Sequence, residues 1–368
     1  MHVALQGQKL SRPGGFEVTD TPVADWPADK LEYLGACPVC GGKERRLRFE
    51  GVTDKSFQHA PGRWSLYDCP DCGALYLDPR PNLASIGKAY GRYYTHETPD
   101  PKRLPSRRRD LRSRMGAAYL NRTYGYRFSH AFPDFLARAL ISEREKTRLD
   151  YMIRHLPAPS KPGQTLLDVG CSNGGFLVLA RDLGYAPTGV EPDPQAVEAG
   201  RRAGLDILVG GLEHPDLVPA SFDQVTLSHV LEHLHDPKAA LVRILALLKP
   251  DGRLWLSQPN LGALGLMRFG ADWRGLEAPR HMTLFGPHDL VRLVQSLGFV
   301  DVQLLPADRA AGYYYSQSAC MAQGRDPQTN RPSNASAIEA EAKAADRQSR
   351  QNPELGESLT LIAFRPPP

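Results

Sequence analysis

The stretch "LLDVGCSNGGF", residues 166–176, joins an apolar run to a glycine-rich turn and decides the fold. The apolar run "TLLDVGC" predicts a buried strand, and "GFLVLARDLG" predicts a helix that ends at Gly184. Gly170 and Gly174 allow the backbone to approach a ligand closely, and the helix N-terminus favours an anionic or electron-rich group. Ser172 stands where a dinucleotide-binding turn usually has its middle glycine, which argues against a pyrophosphate ligand.

The same alternation of strand and helix continues after this turn. Helical patterns at 175–184, 194–204, 236–252 and 286–299 separate short apolar runs, which lie at 165–171, 186–193, 205–211, 222–230, 253–259, 300–305 and 358–364. Such alternation predicts an α/β fold with a doubly wound, Rossmann-like sheet of seven strands. No helix of good pattern separates the last two runs, so we expect these two strands to pair antiparallel.

Two further positions favour a nucleoside ligand. Glu191 lies at the end of the second strand, in "GVEPD", where a carboxylate can accept hydrogen bonds from both ribose hydroxyls. The third strand ends in "GGLEH", which places Gly211 and Leu212 where an adenine would lie.

These motifs resemble, in order and spacing, those of class I S-adenosylmethionine-dependent methyltransferases. The resemblance rests on "LDVGCSNGGF", "GVEPD", "FDQVTLSHVLEHLHDP" and "LLKPDGRLWLSQPN" and covers residues 163–305 with the last strand. It implies a cofactor site across the carboxyl ends of the first strands, with Asp168 and the glycine turn at the methionine end. The implied cofactor residues are Asp168, Gly170, Cys171, Ser172, Gly174, Phe176, Glu191, Pro192, Gly211, Leu212, Ser228 and His229. A doubly wound domain that binds NAD or another nucleotide is the alternative.

Four cysteines form two C-x-x-C pairs, Cys37 with Cys40 and Cys69 with Cys72. Four thiolates at this spacing predict a tetrahedral zinc site without an open position, so the zinc is structural. Four reduced cysteines without metal, or a redox pair, are the alternatives. A ribbon ahead of a methyltransferase domain is similar to a bacterial group that acts in saccharide and secondary-metabolite pathways, although this chain lacks the large C-terminal domain of the related sugar C-methyltransferases.

The segment "SHVLEHLHD", residues 228–236, concentrates histidines and acids at the predicted carboxyl edge of the sheet. His229, with Glu232, is a candidate acid/base pair; in a helix, His229, Glu232 and His233 would also share a face that suits a divalent ion. Ubiquinone-pathway O-methyltransferases resemble this segment and use an acid, an acid and a histidine with a metal, whereas this chain has His229 in place of the first acid. An architectural role in the turn is the third interpretation.

The loop "ADWRGLEAPRHMTLF", residues 271–285, is rich in functional side chains. Trp273, Arg274, Glu277 and Arg280 are candidate acceptor contacts, and His281 is a second candidate base. Tyr93 and Tyr94 are further candidates for the mouth of the acceptor site. A structural loop with a buried tryptophan is the alternative interpretation.

The whole chain has 368 residues, of which 41% are hydrophobic and 23% charged, with a net charge of +4. We predict a flexible arm (1–30), a zinc ribbon (31–80), a helical substrate-side or lid region (81–160), a cofactor-binding core (161–305), an insertion disordered in part (306–357), and the last strand and tail (358–368). The sequence has neither a membrane-length apolar run nor a signal-peptide pattern, so we expect a cytoplasmic protein.

The predicted function is transfer of a methyl group from S-adenosylmethionine to a small polar acceptor. A saccharide, a nucleotide sugar, a lipid-linked saccharide and a secondary metabolite all fit. The basic run from Lys102 to Arg127, with nine Lys or Arg residues against one acid, suits either a phosphorylated acceptor or a solvated helix face, the commoner case. An RNA base methyltransferase that docks RNA through ribbon and basic helices is one rival, although no amide motif for base nitrogens is present. A non-catalytic scaffold that binds S-adenosylmethionine is the other. The sequence leaves the oligomeric state and the methylated atom (oxygen, nitrogen or carbon) open.

Overall fold

A computed structural model describes residues 25–91 and 110–368. The strands are β1 (Leu31–Glu32), β2 (Arg46–Val52), β3 (Trp64–Asp68), β4 (Leu75–Leu77), β5 (Arg80–Pro81), β6 (Thr165–Val169), β7 (Ala186–Glu191), β8 (Ile207–Val209), β9 (Phe222–Ser228), β10 (Leu248–Pro259), β11 (Thr283–Leu284), β12 (Val300–Leu304) and β13 (Ser358–Phe364). The α-helices are α1 (Leu111–Tyr124), α2 (Asp134–Leu140), α3 (Glu143–Met152), α4 (Gly175–Asp182), α5 (Pro194–Arg202), α6 (Pro237–Leu247), α7 (Leu264–Phe269), α8 (Pro287–Ser296), α9 (Ala311–Ala322) and α10 (Ala335–Gln351).

The central sheet has seven strands in the order β12-β13-β10-β9-β6-β7-β8. Strands β6 to β10 pair in parallel, whereas β13 is antiparallel to both of its neighbours, β10 and β12. This topology confirms the predicted doubly wound α/β fold and the antiparallel final pair. The carboxyl ends of the parallel strands meet at one edge, which in such sheets faces the ligand crevice.

Helix α6 shows how the sequence sets the boundaries of an element. Asp236 accepts a hydrogen bond from the amide of Ala239, and Pro237 occupies the first turn, as the sequence predicts for a helix start. The helix ends at Leu247, earlier than the predicted end at residue 252, and β10 begins at the next residue. Pro250 accounts for the difference, because the residue before a proline disfavours helical backbone.

A second sheet joins the cysteine-rich part of the chain to the part that forms the central sheet. Its order is β11-β4-β3-β2, so three strands come from residues 46–77 and the fourth, β11, from the loop 271–285. Thr283 pairs with Tyr76 and Leu284 with Leu75, and the amide of Leu77 donates to the carbonyl of Met282. The sequence predicts no strand in this loop, because a strand of two residues is too short to show an alternation of apolar and polar side chains.

Residues 306–357, predicted as an insertion that is disordered in part, contain α9 and α10 in the structure. Ile338, Ala342 and Ala345 form an apolar face of α10 that packs on Ala311, Tyr315 and Ala319 of α9. None of the helices within residues 25–91 and 110–368 is long and apolar enough to cross a membrane. The arm at 1–24 and the candidates Tyr93 and Tyr94 lie outside the described residues. The division into six segments stays a prediction.

Candidate functional site

Glu191 lies at the carboxyl edge of the sheet, at the end of β7, and faces the glycine turn. The amide of Ser172 donates to its Oε2 at 2.9 Å, and the amide of Asp193 donates to its Oε1 at 3.0 Å. Burial raises the pKa of this carboxyl, while these two amides oppose the rise. One hydrogen bond to each oxygen fixes the carboxylate and leaves further lone pairs that can accept hydrogen bonds from hydroxyl groups.

Gly170 and Gly174 have left-handed backbones, with φ of +66° and +83°. A Cβ at Gly170 would lie 2.6 Å from Cγ2 of Val230, and one at Gly174 would lie 2.4 Å from Cδ1 of Leu205. Both positions therefore require glycine for packing as well as for conformation. Cys171 is buried between this turn and Gly189.

A buried ion pair lies behind the glycine turn. Arg154 donates to Oδ1 of Asp168 and, at 2.7 Å, to the hydroxyl of Thr226, while its guanidinium lies 3.6 Å from the ring centre of Phe176. Oδ2 of Asp168 is buried and has no hydrogen-bond partner among the described residues. A carboxylate oxygen and a guanidinium side by side suit the ammonium and carboxylate of an amino acid. The sequence did not single out Arg154, because it belongs to no motif.

The remaining predicted cofactor residues follow the neighbouring strands. Leu212 is buried in the main core, Gly211 donates its amide to Oε1 of Glu213, and Pro192 is exposed beside Glu191. Ser228 ends β9, so it and His229 lie at the same edge as the glycine turn. The topology thus brings the predicted set to one edge of the sheet.

A cavity of about 330 Å³ opens beside the end of β9. Its walls come from the turn after β9, from the loop 271–285 and from residues 308–314. The lining residues are His229, His233, Arg274, Glu277, His281, Asp308, Ala310, Tyr313, Tyr314 and Ser358. The structure therefore brings together the two histidines that the sequence offered as bases.

His229 has a left-handed backbone, with φ of +55°, and a side chain that is 41% exposed. Its Nδ1 lies 3.3 Å from Oε1 of Glu232, at ion-pair distance. Desolvation of the ring opposes protonation, but the carboxylate outweighs it and holds the pKa of His229 above its ordinary value. With Nδ1 towards Glu232, Nε2 is the nitrogen that remains for an acceptor.

Glu232 is fully buried, and neither carboxylate oxygen accepts a hydrogen bond within the described part of the chain. Its nearest groups are histidines, and candidate ligand atoms of Glu232, His233 and His281 all lie within 4.8 Å of one another. The predicted ion set of His229, Glu232 and His233 is not the one that the structure assembles. Residues 231–233 form a single 3-10 turn rather than an α-helix, so His229 lies apart from His233, and His281 takes its place.

His281 is a poorer base than His229. Its Nδ1 donates to the carbonyl of Gly275 at 2.7 Å, and its Nε2 lies 3.6 Å from Oε2 of Glu277. Burial lowers the pKa of His281 to about 4. A base of such low pKa has little driving force to remove a proton near neutral pH.

The loop 271–285 is held by a buried network of charges. Arg280 is 0% exposed and donates to both oxygens of Asp54 and, at 2.8 Å, to Oε1 of Glu277. Arg274 pairs with the same Glu277 and lines the cavity. Trp273 is 1% exposed and donates to Oε2 of Glu357 at 2.7 Å. The structure thus places Trp273 and Arg280 in the core rather than at an acceptor, and it leaves Arg274 and Glu277 at the cavity.

Asp308 is a cavity residue that sequence reasoning missed. Its Oδ1 is buried without a hydrogen-bond partner in residues 25–91 and 110–368, and burial raises the pKa of its carboxyl to about 6. It lies in the stretch 306–357, which the sequence predicts as an insertion disordered in part. No local pattern marks it, because its neighbours in the cavity come from distant parts of the chain.

The four cysteines of the ribbon converge on one point. Sγ of Cys37 lies 3.6 Å from Sγ of Cys72, and Sγ of Cys40 lies 3.5 Å from Sγ of Cys69. A zinc ion with four bonds of about 2.3 Å would separate its sulfurs by slightly less than about 4 Å. The amides of Val39 and Gly42 lie 3.5 and 3.4 Å from the sulfurs of Cys37 and Cys40, as donors to thiolates. The donor set and its geometry fit zinc.

Comparisons with known proteins identify the part of the chain that carries the glycine turn, Glu191 and the turn after β9. Residues 138–304 match the family described as Methyltransferase domain. The malonyl-[acyl-carrier protein] O-methyltransferase of Serratia marcescens is 29% identical over 160 residues, which are 40% of this chain and 62% of that protein. A ubiquinone biosynthesis O-methyltransferase of Xanthomonas campestris pv. campestris (strain B100) is 36% identical over 137 residues, 34% of this chain and 55% of that protein.

The chain therefore spans less than two thirds of the length of these two relatives. Among solved structures, a SAM dependent methyltransferase from Archaeoglobus fulgidus matches with a TM-score of 0.41 and 20% identity over 62% of this chain and 98% of that one.

Proposed function

Residues 138–304 form a class I S-adenosylmethionine-dependent methyltransferase domain, and from this premise we propose that the chain methylates a hydroxyl group of a small polar acceptor. The observation that carries the proposal is the edge of the sheet where Glu191 and the glycine turn lie next to a cavity with a histidine base. Both curated relatives described above are named O-methyltransferases, which supports oxygen as the methylated atom.

The cofactor site is proposed on two carboxylates, those of Glu191 and Asp168. Glu191 would accept both ribose hydroxyls, with its position fixed by the amides of Ser172 and Asp193. The unpaired Oδ2 of Asp168 would accept from the cofactor ammonium, and Arg154 would donate to the cofactor carboxylate. Gly211 and Leu212 would lie along the adenine. When bound, S-adenosylmethionine supplies a methyl group on a positively charged sulfur.

Arg154→Gln is expected to weaken the binding of S-adenosylhomocysteine about 10- to 100-fold, because a hydrogen bond to a charged group contributes about 1.5–3 kcal/mol. Isothermal titration calorimetry measures this loss. Adenosine, which lacks the amino-acid tail, should bind wild type and variant equally. Arg202→Gln, on the exposed face of α5, is the matched control and should leave both affinities unchanged. Equal losses for adenosine and S-adenosylhomocysteine would show that Arg154 acts on the fold rather than on the tail.

The reaction is an in-line displacement, in which the orientation of the acceptor supplies much of the rate. The acceptor oxygen forms a bond to the methyl carbon while the bond from that carbon to sulfur breaks. Nε2 of His229 takes the hydroxyl proton, and the products are the methyl ether and S-adenosylhomocysteine. Glu232 acts as a positioning residue, because its carboxylate faces Nδ1 and stabilises the protonated ring.

His229→Ala is expected to lower kcat by about 10²- to 10⁴-fold, the usual contribution of a general base, while the affinity for S-adenosylhomocysteine stays unchanged. Single-turnover methyl transfer and calorimetry give the two quantities. His288→Ala removes an exposed histidine that pairs with Glu354, and it should leave both quantities unchanged. Full turnover by the His229→Ala variant would remove this residue from the mechanism.

The acceptor is proposed to be neutral and hydroxylated at its reacting end. Asp308 and Glu277 present carboxylates to the cavity, and Arg274 is already paired with Glu277. Carboxylates accept hydrogen bonds from hydroxyl groups, whereas they repel a phosphate. The same charges argue against an RNA backbone in the cavity, and any phosphate of a nucleotide or lipid carrier would lie outside it.

The experiment that tests the proposal is a screen of polyhydroxylated metabolites with methyl-labelled S-adenosylmethionine. A methyl ether, together with an equal amount of S-adenosylhomocysteine, is the expected product. Methylation of nitrogen or carbon in the same screen would overturn the assignment to oxygen. A protein that binds the cofactor but methylates no compound of any class would support the scaffold role instead.

We further propose that Cys37, Cys40, Cys69 and Cys72 bind one structural zinc ion. The support is the convergence of four sulfurs with amide donors beside two of them. Four thiolates fill a tetrahedral ion, so this site contributes stability rather than chemistry.

A further inference from the structure

We propose that Glu232, His233 and His281 bind one divalent transition-metal ion beside the acceptor cavity. One candidate ligand atom from each residue lies within 4.8 Å of the other two. Glu232 and His233 come from the turn after β9, and His281 comes from the loop that joins the ribbon sheet. This set differs from the one that the sequence predicted, because the turn after β9 leaves His229 outside it.

The hydrogen bonds of the two histidines orient lone pairs towards the cluster. Nδ1 of His281 lies 2.7 Å from the carbonyl of Gly275, and Nδ1 of His233 lies 3.1 Å from the carbonyl of Arg280. A carbonyl only accepts, so each Nδ1 carries the proton and each Nε2 carries a lone pair; the hydroxyl oxygen of Tyr90, 3.0 Å from Nδ1 of His233, is then a second acceptor of that proton. Metal-bound histidines in proteins almost always donate their other ring nitrogen in this way.

The carboxylate of Glu232 is the second, independent observation. Both oxygens are buried, and neither accepts a hydrogen bond from any residue that the structure describes. A buried carboxylate without donors is costly unless a cation faces it. Nε2 of His281 also lies 3.6 Å from Oε2 of Glu277, so its lone pair faces a carboxylate oxygen. A cation beside these two atoms would offset the repulsion between them.

The buried charges around the cluster do not balance. Glu232, Glu277 and Asp54 are buried carboxylates, whereas Arg274 and Arg280 supply only two buried guanidiniums. One net negative charge remains among these five groups, and Asp308, which lines the same cavity, adds a second when it is ionised, so a divalent ion at Glu232 would offset both. His229 is the competing counterion, since its Nδ1 lies 3.3 Å from Oε1 of Glu232.

Two imidazoles and one carboxylate select Fe²⁺, Co²⁺, Ni²⁺ or Zn²⁺ over Mg²⁺, which prefers oxygen ligands. Three protein ligands leave coordination positions open, and both His233 and His281 line the cavity. An acceptor oxygen in such a position would lose its proton more readily. This consequence rests on the proposed function, whereas the binding of the ion itself does not.

Cobalt binding to the full chain, with zinc already in the ribbon, tests the inference. Titration of this zinc-loaded protein with Co²⁺, without acceptor or S-adenosylmethionine, is expected to saturate at one cobalt ion per chain. Its visible absorption bands should be typical of nitrogen and oxygen ligands. Zinc analysis, and the absence of intense thiolate-to-cobalt absorption, show that the ribbon keeps its own ion. Glu232→Gln and His281→Gln should each weaken cobalt binding more than about 100-fold, because the loss of an outer hydrogen bond to a ligand already costs about 10–100-fold.

His229→Asn is the control that separates the two ligand sets, and it should retain cobalt binding. Loss of the ion in this variant would return His229 to the site and overturn the assignment to His281. Binding of S-adenosylhomocysteine by each variant shows that it is folded. No cobalt uptake by the wild type, or uptake indifferent to both ligand variants, would overturn the inference and leave His229 as the counterion of Glu232. Cobalt uptake without methyl transfer would instead count against the proposed function alone.

Discussion

The Glu191→Ala variant is expected to bind S-adenosylhomocysteine at least about 100-fold more weakly than the wild type. Two hydrogen bonds from ribose hydroxyls to a carboxylate contribute about 1.5–3 kcal/mol each, and about 1.4 kcal/mol corresponds to a factor of ten. The loss extends to the turn, because the amides of Ser172 and Asp193 also lose their acceptor. Isothermal titration calorimetry is the direct measurement.

A matched pair of variants makes this result specific. Glu198→Ala removes an exposed glutamate of α5 that pairs with Arg202, and it should bind S-adenosylhomocysteine like the wild type. Glu191→Gln keeps one acceptor oxygen and should give an intermediate affinity. If Glu191→Ala folds and binds with unchanged affinity, the assignment of the ribose site to β7 is refuted.

The second large effect is expected from Arg280→Ala, which should lower the free energy of unfolding by about 3–5 kcal/mol. Removal of one partner from a buried ion pair leaves the other charge without compensation, and here Asp54 and Glu277 both lose their partner. Urea unfolding, followed by tryptophan fluorescence, measures the change. Arg268→Ala breaks an exposed pair with Glu341 and should cost no more than about 1 kcal/mol.

A double-mutant cycle of Asp54 and Arg280 separates their pairing from general damage. With Asp54→Asn as the partner change, the two losses should be far from additive, because each single change already removes the whole pair and leaves the other partner's charge uncompensated. Strictly additive losses would contradict a direct pair. The Arg280→Ala variant should also keep its affinity for S-adenosylhomocysteine, since the partners of Arg280 are Asp54, Glu277 and the carbonyl of Ala89, none of them a proposed cofactor residue.

The sequence predicts the sheet correctly, because its strands follow local patterns, while the cofactor residues stay a prediction that rests on the same patterns. The apolar run before Gly170 and the position of Glu191 after the next strand are readable without tertiary structure. The pairing of His229 with Glu232 follows from their spacing, although the turn is 3-10 rather than α-helical.

The acceptor side depends on contacts between distant residues, and there the sequence predicts less. Arg154 and Asp308 belong to no motif. Arg154 becomes a candidate only when its contact with Asp168 is known, and Asp308 only when its place in the cavity is known. Trp273 and Arg280 have the residue types of a binding loop, yet both are buried as structural partners. Residue type alone does not distinguish a guanidinium that binds a ligand from one that neutralises a buried aspartate.

The shared ribbon sheet has a consequence for the design of chimeric enzymes. Because β11 completes the ribbon sheet and Arg280 pairs with Asp54, the loop 271–285, which lines the cavity, is held in place by the cysteine-rich stretch of the chain. A graft that imports a foreign ribbon without residues 271–285 would bring mismatched edges and an uncompensated aspartate. A chimera should therefore take the ribbon and residues 271–285 from the same parent, although 226 positions separate Asp54 from Arg280.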